Sequence, residues 1–326
     1  MLFFVGIGMK ENSRIVVAIE CMVFNHEPYI RQCLEGFIMQ KTNFSFVAIV
    51  HDDASTDNSA SIIREFEQRY PNIIHAIYET QNQYSKHDES LSRIMLNAVC
   101  STDAKYIAIC EGDDYWTDPL KLQKQVDYLE GHPEVSLVYT GFNNVNENSV
   151  PIVRPYYEFL RKHSKSGDIF HQLIYRNFIM TLTVCFRSDI RMRNTYIKNP
   201  VPFYDYGLFL VASIHSKIKY FPEIMGNYRQ TPGSLITSHK SEVNKKLSQV
   251  RLYFAQCFLK GEGFKRSWRR NRIIEYNIVK GFLFDKSNLH KLYTDFPYLR
   301  LYQIPCSIEH FIVRVLKKLH IISKFY

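Results

Sequence analysis

The sequence predicts an α/β fold, in which a mostly parallel sheet carries helices on both faces and a basic helical region follows. Two observations predict it. Short apolar runs alternate with segments of helical spacing over the first 140 residues, and this alternation is typical of parallel strand–helix–strand units. The charge also divides the chain, because residues 240–326 contain 18 Lys/Arg against 6 Asp/Glu, whereas the rest contains 23 against 26.

Five apolar runs in the first part are predicted to be strands. The first, at 14–24, is continuous and β-rich, as expected of a strand that is buried on both faces. The others lie at 46–51, 73–78, 105–110 and 135–140.

Three helices are predicted between these strands. The first opens at Pro28, the second follows the loop "DDASTDNS", and the third runs from Pro119 to about Glu130. Apolar residues recur at helical spacing and give the first two helices one buried face each. These residues are Ile30, Cys33, Leu34, Phe37 and Ile38 in the first, and Ile62, Ile63 and Phe66 in the second.

The second half of the chain is less regular. A strand is predicted at 180–186, a helix at 204–215 and a pair of strands within 217–229. Beyond about Ser238 the pattern is helical and basic.

Composition excludes several classes of protein. An apolar fraction of 46% describes a globular chain, and no run approaches the roughly 18 apolar residues that cross a bilayer. The seven cysteines are scattered and never spaced C-x-x-C, which suits a reducing cytosol and argues against a disulfide framework or a zinc site. The basic cluster "KRSWRRNR" at 265–272 could contact nucleic-acid phosphates, but no nucleic-acid-binding module accompanies it.

Three polar loops follow predicted strands, and ligands of such sheets bind beyond the carboxyl ends of the strands. The loops are "NHEP", "DDASTD" and "EGDDYWTD". Alternate residues of an extended segment point the same way, so Glu111 and Asp113 can face one site. Carboxylate oxygens are the ligands that Mg²⁺ and Mn²⁺ prefer. The alternative is that the acids of this loop only start the next helix, which suits Asp118 before Pro119 and leaves Asp114 open.

The loop "DDASTD" also allows two interpretations. Ser55 or Asp57 suits the start of the following helix. Asp52 and Asp53 stand at the strand end, where one carboxylate could accept the N3–H of a uracil ring. The start of the helix accounts for Ser55 or Asp57 but gives Asp52 and Asp53 no role, so a base-binding carboxylate is the second interpretation of this loop.

In this order the motifs resemble those of the family 2 glycosyltransferases, which use nucleotide sugars and have the GT-A fold. The family pattern is matched by "VFN" (23–25), "DDASTD" (52–57), "EGDD" (111–114) and "FYDYGLFL" (203–210). The continuation "GDDYWTDPLKLQKQ" is similar to bacterial enzymes that build cell-surface polysaccharides. The resemblance implies a Rossmann-like GT-A catalytic domain over residues 14–237, with residues 238–326 as a basic helical C-terminal extension.

The resemblance implies a nucleotide site at the strand ends. Phe24 would lie against the base, and Asp53, with Asp52 second, would bind it. Lys86 and Arg93 are equal candidates for a cation that faces the nucleotide, and a solvated surface position is the alternative for each.

The resemblance also implies a metal and a general base. Asp113 would ligate Mn²⁺ or Mg²⁺ at the donor's diphosphate. Glu111 replaces the family's usual aspartate and would contact the ribose or the metal shell. Asp205 would deprotonate the acceptor hydroxyl in a single inverting displacement, and its alternative is a helix start. A histidine that is frequent late in the family is replaced here by Thr231.

The expected function is transfer of a sugar from a nucleotide sugar, UDP-linked by preference, to a hydroxyl of a saccharide or lipid-linked acceptor. A nucleotidyltransferase is disfavoured because "FNHEPYI" lacks a glycine-rich phosphate loop, and a nucleic-acid-binding protein would leave the acidic loops unexplained. The amphipathic segment "SIEHFIVRVLKKLHIISKF" (307–325) predicts either contact with an anionic membrane or packing on the domain or on a second subunit. A cytoplasmic location is expected, with peripheral contact at the inner face of the membrane and a homo-oligomer left open.

Overall fold

The computed structural model of the chain describes residues 14–86, 88, 90–162, 164–190, 204–231, 240–260, 268–283, 285–303, 305–307 and 309. Its strands are β1 Ile15–Val23, β2 Ser45–Asp52, β3 Ile74–Tyr78, β4 Tyr106–Ile109, β5 Tyr115–Trp116, β6 Val135–Asn146, β7 Cys185–Arg187 and β8 Lys217–Gln230. They form one eight-stranded sheet in the order β3-β2-β1-β4-β7-β6-β8-β5.

The helices connect these strands and continue beyond them. They are α1 Ile30–Ile38, α2 Ser59–Arg69, α3 Ser90–Cys100, α4 Lys121–Gly131, α5 Pro155–Lys162, α6 Phe170–Leu173, α7 Tyr204–His215, α8 Lys240–Lys260, α9 Trp268–Phe282 and α10 Lys286–Asp295. Short 3₁₀ turns occupy Tyr84–Lys86, Thr181–Thr183 and Pro297–Tyr302.

The sheet is parallel in its first half and mixed in its second. Within the described residues, β3–β2, β2–β1, β1–β4 and β6–β8 are parallel pairs. The pairs β4–β7, β7–β6 and β8–β5 are antiparallel. The predicted strands and helices of the first 140 residues are confirmed, and β6 extends six residues beyond its predicted end, to Asn146.

Two elements of the second half differ from the prediction. The strand predicted at 180–186 is wrong in its first part, since Thr181–Thr183 forms a 3₁₀ turn and β7 begins only at Cys185. The pair of strands predicted within 217–229 is also wrong, since β8 runs beside β6 as one strand. Pro222 cannot donate to the ladder, and the register shifts around it without ending the strand.

Two hydrophobic clusters cover the two faces of the sheet. Val17 and Ile19 of β1 pack on one face with residues of α1, α2 and α4. Ala18 belongs to the cluster on the other face, because successive side chains of a strand point in opposite directions. Helices on both faces of the sheet are therefore confirmed.

The C-terminal helices share the second of these clusters. Phe254 of α8, Ile278 of α9 and Leu292 of α10 are buried with Phe170 and Tyr206. The helical pattern predicted beyond Ser238 is thus confirmed for the described residues. None of the described helices combines the length and the apolar character that a bilayer span requires. The amphipathic segment at 307–325 lies, apart from two residues, outside the described part of the chain.

Candidate active site

The carboxyl ends of β1, β2 and β4 meet at one edge of the sheet, and the three polar loops start there. Val23 at the end of β1 is paired with Asp52 at the end of β2. Backbone hydrogen bonds continue just beyond the strand ends. The N–H of Asp53 donates to the carbonyl of Val23 at 2.9 Å, and the N–H of Gly112 donates to the carbonyl of Met22 at 2.9 Å. The predicted meeting of the loops is therefore confirmed.

Side chains lock the first two loops together. The N–H of Asn25, which has a φ of 54°, donates to Oγ of Ser55 at 3.0 Å. The N–H of Thr56 donates to Oδ1 of Asn25 at 2.8 Å. Asp57 accepts from the N–H groups of Glu27 at 3.0 Å and Ser59 at 2.9 Å. Asp57 thus serves the start of α2 as predicted, whereas Ser55 binds the neighbouring loop.

The two adjacent aspartates of the second loop have different surroundings. Both are buried, with exposed fractions of 2% for Asp52 and 4% for Asp53. The Asp53 carboxylate accepts the N–H of Gln83 at 2.6 Å and that of Tyr84 at 3.0 Å. Oδ1 of Asp52 has no hydrogen-bond partner among the described residues. Asp53 is therefore engaged by backbone N–H groups, whereas Asp52 keeps an open acceptor; which of the two would bind a base, with Asp53 placed first, stays a prediction.

Other predicted nucleotide contacts lie around this edge. Phe24 follows β1 with 44% of its side chain exposed. Nζ of Lys86 donates to Oε1 of Gln83 at 2.6 Å, in the segment that Asp53 anchors. Arg93 is exposed on α3. The structure thus ties Lys86 to the strand edge through hydrogen bonds and leaves Arg93 at the surface.

The acidic loop brings three of the predicted site residues together. Glu111 and Asp113 are half-buried, and the N–H of Asp114 closes the turn onto the carbonyl of Glu111 at 3.0 Å. Burial, followed by the charges of Asp113, Asp205 and Glu20, raises the pKa of Glu111 to about 8. Asp205, in the first turn of α7, is therefore near enough to Glu111 for its charge to act on that carboxyl, despite their distance in sequence.

Arg229 of β8 holds this loop in shape. The exposed fraction of Arg229 is 2%, and its Nε–H donates to the carbonyl of Asp113 at 2.7 Å. Its backbone N–H donates to Oδ1 of Asp114 at 2.7 Å. Burial and the charge of Asp113 raise the pKa of Asp114 well above its ordinary value. Asp114 therefore helps to hold the loop in shape. The sequence signal for its partner was the pair "YR" at 228–229.

His26 lies at the candidate site and was not among the predicted residues. Burial lowers its pKa, although Asp113, Asp57 and Asp52 act in the opposite direction. Its Nδ1 is buried and has no partner among the described residues. A Cβ at Gly112 would come within 2.8 Å of this nitrogen, so glycine is what allows the close approach. The available signal was a polar residue in "NHEP", directly after the first strand.

A buried polar cluster follows the acidic loop in the sequence. Nε1 of Trp116 donates to the carbonyl of Leu182 at 2.8 Å. Lys121 is fully buried, donates to Oε1 of Gln125 at 2.7 Å and lies 4.2 Å from the Trp116 ring centroid. Burial lowers the pKa of Lys121 to about 8. Asp118 accepts the N–H of Leu120 at 2.8 Å, which confirms its place at the start of α4.

The carboxylates of this edge fit a hard divalent cation. Among the described residues no group of three His, Cys, Asp or Glu side chains has the arrangement of a metal site. Mg²⁺ and Mn²⁺ are, however, often held by one or two carboxylates together with substrate phosphates. Burial first, and then the neighbouring negative charges, raise the pKa of Glu111, and a bound cation would stabilise the ionised carboxylate against both. Glu111 and Asp113 are the residues that would hold it.

The sheet topology and the loops at its edge define the class of the protein. It has the GT-A fold of nucleotide-sugar transferases, as the sequence predicted. Residues 21–182 match the glycosyl transferase family 2. The chain belongs to this family.

Similar proteins agree with this assignment. The uncharacterized protein Rv1520 of Mycobacterium tuberculosis is 34% identical over 216 residues, which are 66% of this chain and 58% of that protein. The chain therefore spans little more than half the length of this relative. The amylovoran biosynthesis glycosyltransferase AmsE of Erwinia amylovora is 23% identical over 239 residues, or 73% of this chain and 83% of AmsE.

A solved structure shows the same fold over nearly the whole chain. The mannosyltransferase PcManGT of Pyrobaculum calidifontis, in complex with GDP-Man and Mn²⁺, has a TM-score of 0.60 at 16% identity. The match covers 96% of this chain and 82% of that one.

Proposed function

We propose that the protein transfers a sugar from a nucleotide-diphosphate sugar to a hydroxyl of a saccharide or lipid-linked saccharide, with inversion and with a divalent metal. One observation carries the proposal. Asp113 and Asp205 lie within electrostatic reach of Glu111 at the carboxyl edge of the sheet, the edge at which Asp52 keeps a carboxylate oxygen without a partner among the described residues. This edge is where ligands bind in open α/β sheets.

The donor's nucleotide is assigned to the ends of β1 and β2. Asp52 would accept a single ring N–H, such as N3–H of uracil, so a UDP-sugar is the first candidate. Phe24 would pack against the base. Lys86 would face the diphosphate with its ammonium group.

The transfer step needs a base and a stabilised leaving group. Asp205 takes the proton from the acceptor hydroxyl while the hydroxyl oxygen bonds to the anomeric carbon and the bond to the diphosphate oxygen breaks. Asp113 and Glu111 would hold Mn²⁺ or Mg²⁺, which supplies charge stabilisation for the departing diphosphate. His26, against Gly112, would contact the donor beside this pair.

The acceptor is proposed to belong to a cell-surface polysaccharide pathway and to be presented at a membrane surface. The basic C-terminal quarter supports this, since Leu301 and Tyr298 are 78% and 45% exposed on either side of Arg300. Flotation with anionic liposomes tests it. Flotation of the native chain supports membrane contact, and its loss on deleting residues 305–326 would assign the contact to that segment. A native chain that does not float contradicts the proposal.

A thermal-shift screen tests the reaction class. UDP- and GDP-linked sugars are compared with Mn²⁺, with Mg²⁺ and with a chelator. We expect one donor to raise the melting temperature by several degrees only when a metal is present, because a ligand that binds the native state stabilises it. The variant Asp113→Ala should lose this shift. No shift with any donor and either metal would contradict the proposal.

A further inference from the structure

Four side chains form a hydrogen-bonded chain from the interior of the sheet to the surface. His51 of β2 is fully buried, and its Nε2 lies 3.3 Å from Oε1 of Glu79. Nε2 of Gln83 donates to the other oxygen of Glu79 at 3.1 Å. Nζ of Lys86 then donates to Oε1 of Gln83 at 2.6 Å. The exposed ammonium is thus connected to a rigid strand.

The orientation of the Gln83 amide is fixed by its neighbours. Gln83 is 7% exposed, and its Nε2 also donates to the carbonyl of Gln81 at 2.8 Å. Glu79 and this carbonyl accept hydrogen bonds only, whereas the Lys86 ammonium only donates. In a flipped amide the oxygen would lie against two acceptors and the N–H groups against the ammonium, so all three hydrogen bonds would be lost. Glu79 therefore makes Gln83 present its oxygen to Lys86.

The backbone of the same segment is fastened to the candidate nucleotide edge. Asp53 accepts the N–H groups of Gln83 and Tyr84 with its carboxylate, and its carbonyl accepts from Nδ2 of Asn82 at 3.1 Å. Asp53 directly follows Asp52, the open acceptor. Side chain and backbone of this segment are both held beside that residue before any ligand binds.

We propose that Glu79 and Gln83 are positioning residues that hold Lys86 towards the diphosphate of the donor. This rests on the proposed function. The ammonium has three N–H groups, and within the described residues its side-chain bond to Gln83 uses one and leaves two for phosphate oxygens. Holding a long side chain in place before binding reduces the ordering cost of association. Lys86, and not Arg93, is then the cation that binds the diphosphate.

A double-mutant cycle tests the proposal. Glu79→Gln and Gln83→Leu are each made in the native chain and in a Lys86→Met chain, and UDP and GDP are titrated with Mn²⁺ by calorimetry. Each single change should weaken binding of the nucleotide about 3- to 10-fold. Neither should weaken it further once Lys86 is absent, because the positioned group is gone.

Glu67 provides the matched control. It accepts the N–H of Ala76 at 3.0 Å and the hydroxyl of Tyr78 at 3.2 Å, so it also bonds to β3 but does not contact the chain to Lys86. Glu67→Gln should bind the nucleotide within about twofold of the native chain. Melting temperatures of all variants identify any that fail to fold, and Gln83→Leu and Glu79→Gln serve as independent probes.

The outcomes separate this inference from the proposed function. If Glu79→Gln and Gln83→Leu weaken binding equally with and without Lys86, they act only on the fold and the inference is wrong. If neither weakens binding at all, it is also wrong. If the native chain binds neither UDP nor GDP with metal, the proposed function fails and the inference fails with it.

Discussion

The backbone N–H of Arg229 donates to the carboxylate of Asp114 at 2.7 Å, and this bond joins β8 to the acidic loop. The guanidinium adds bonds to the carbonyls of Asp113 at 2.7 Å and Glu147 at 3.1 Å, and to Oε1 of Gln32 at 2.6 Å. The shape of the loop that presents Asp113 therefore depends on a residue far along the chain.

Replacing Arg229 with methionine should therefore destabilise the fold. The change removes the guanidinium donors of the Asp113 carbonyl, the Glu147 carbonyl and Oε1 of Gln32. Each buried acceptor left unpaired typically costs about 1–3 kcal/mol. Urea unfolding measures the loss, and metal-dependent nucleotide binding should weaken with it. Arg64→Met is the control, because Arg64 is exposed over the Tyr78 ring. Equal unfolding midpoints for both variants would contradict the supporting role of Arg229.

The two aspartates at the end of β2 should respond differently to conversion to asparagine. Asp52→Asn should weaken nucleotide binding about tenfold or more at unchanged stability, because the open acceptor is exchanged. Asp53→Asn should lower the melting temperature and expose the segment at 79–86 to protease, because two backbone N–H groups lose a charged acceptor. Calorimetry and limited proteolysis measure the two effects. The reverse assignment of effects would restore Asp53 as the base-binding residue.

Glu111 should make the metal-free protein less stable as the pH rises. Its pKa is raised from 4.5 to about 8, so the folded state holds this proton more tightly than the unfolded state does. The stabilisation is fully present below about pH 4.5 and is lost as the pH rises through about 8. In Glu111→Gln this contribution disappears. The free energy of unfolding of the native chain, relative to the variant, should fall between pH 5 and pH 8, and a constant difference would refute the prediction.

Lys121 should act in the opposite direction at higher pH. Its pKa is lowered from 10.5 to about 8 by burial, so the unfolded state binds the proton more tightly between these values. Stability contributed by this group therefore rises with pH from about 8 to 10.5. Lys121→Met keeps the side-chain length and removes the charge. Urea denaturation at pH 7.5, 9 and 10 should show the free energy of unfolding of the native chain rising relative to that of the variant. A difference that does not change with pH would contradict the prediction.

Much of the site could be predicted because it depends on local patterns. Apolar runs marked the parallel strands, and a parallel sheet places the ends of its strands at one edge. This was enough to place Asp52 beside the loop of Glu111 and Asp113. The predicted place of Asp118 at the start of α4 depended on a neighbouring residue and is likewise confirmed.

The rest depends on pairings that periodicity does not reveal. Arg229 reaches Asp114 because the two-residue strand β5 pairs with β8, and no pattern specifies that register. Asp53 accepts the N–H groups of Gln83 and Tyr84, about 30 residues further along the chain, and no local pattern predicts that Asp53 and not Asp52 makes these bonds. Helix α3 was not predicted because the polar segment before it resembled one long loop.

We propose that Asp205 is the base of a glycosyl transfer whose donor binds at the acidic loop. Donor binding and sugar transfer are measured in Asp205→Asn, with the exposed Asp127→Asn as control. We predict native donor affinity with Mn²⁺ and transfer reduced about 10²- to 10⁴-fold in Asp205→Asn, and native values for both in the control. Near-native turnover in Asp205→Asn would contradict the assignment.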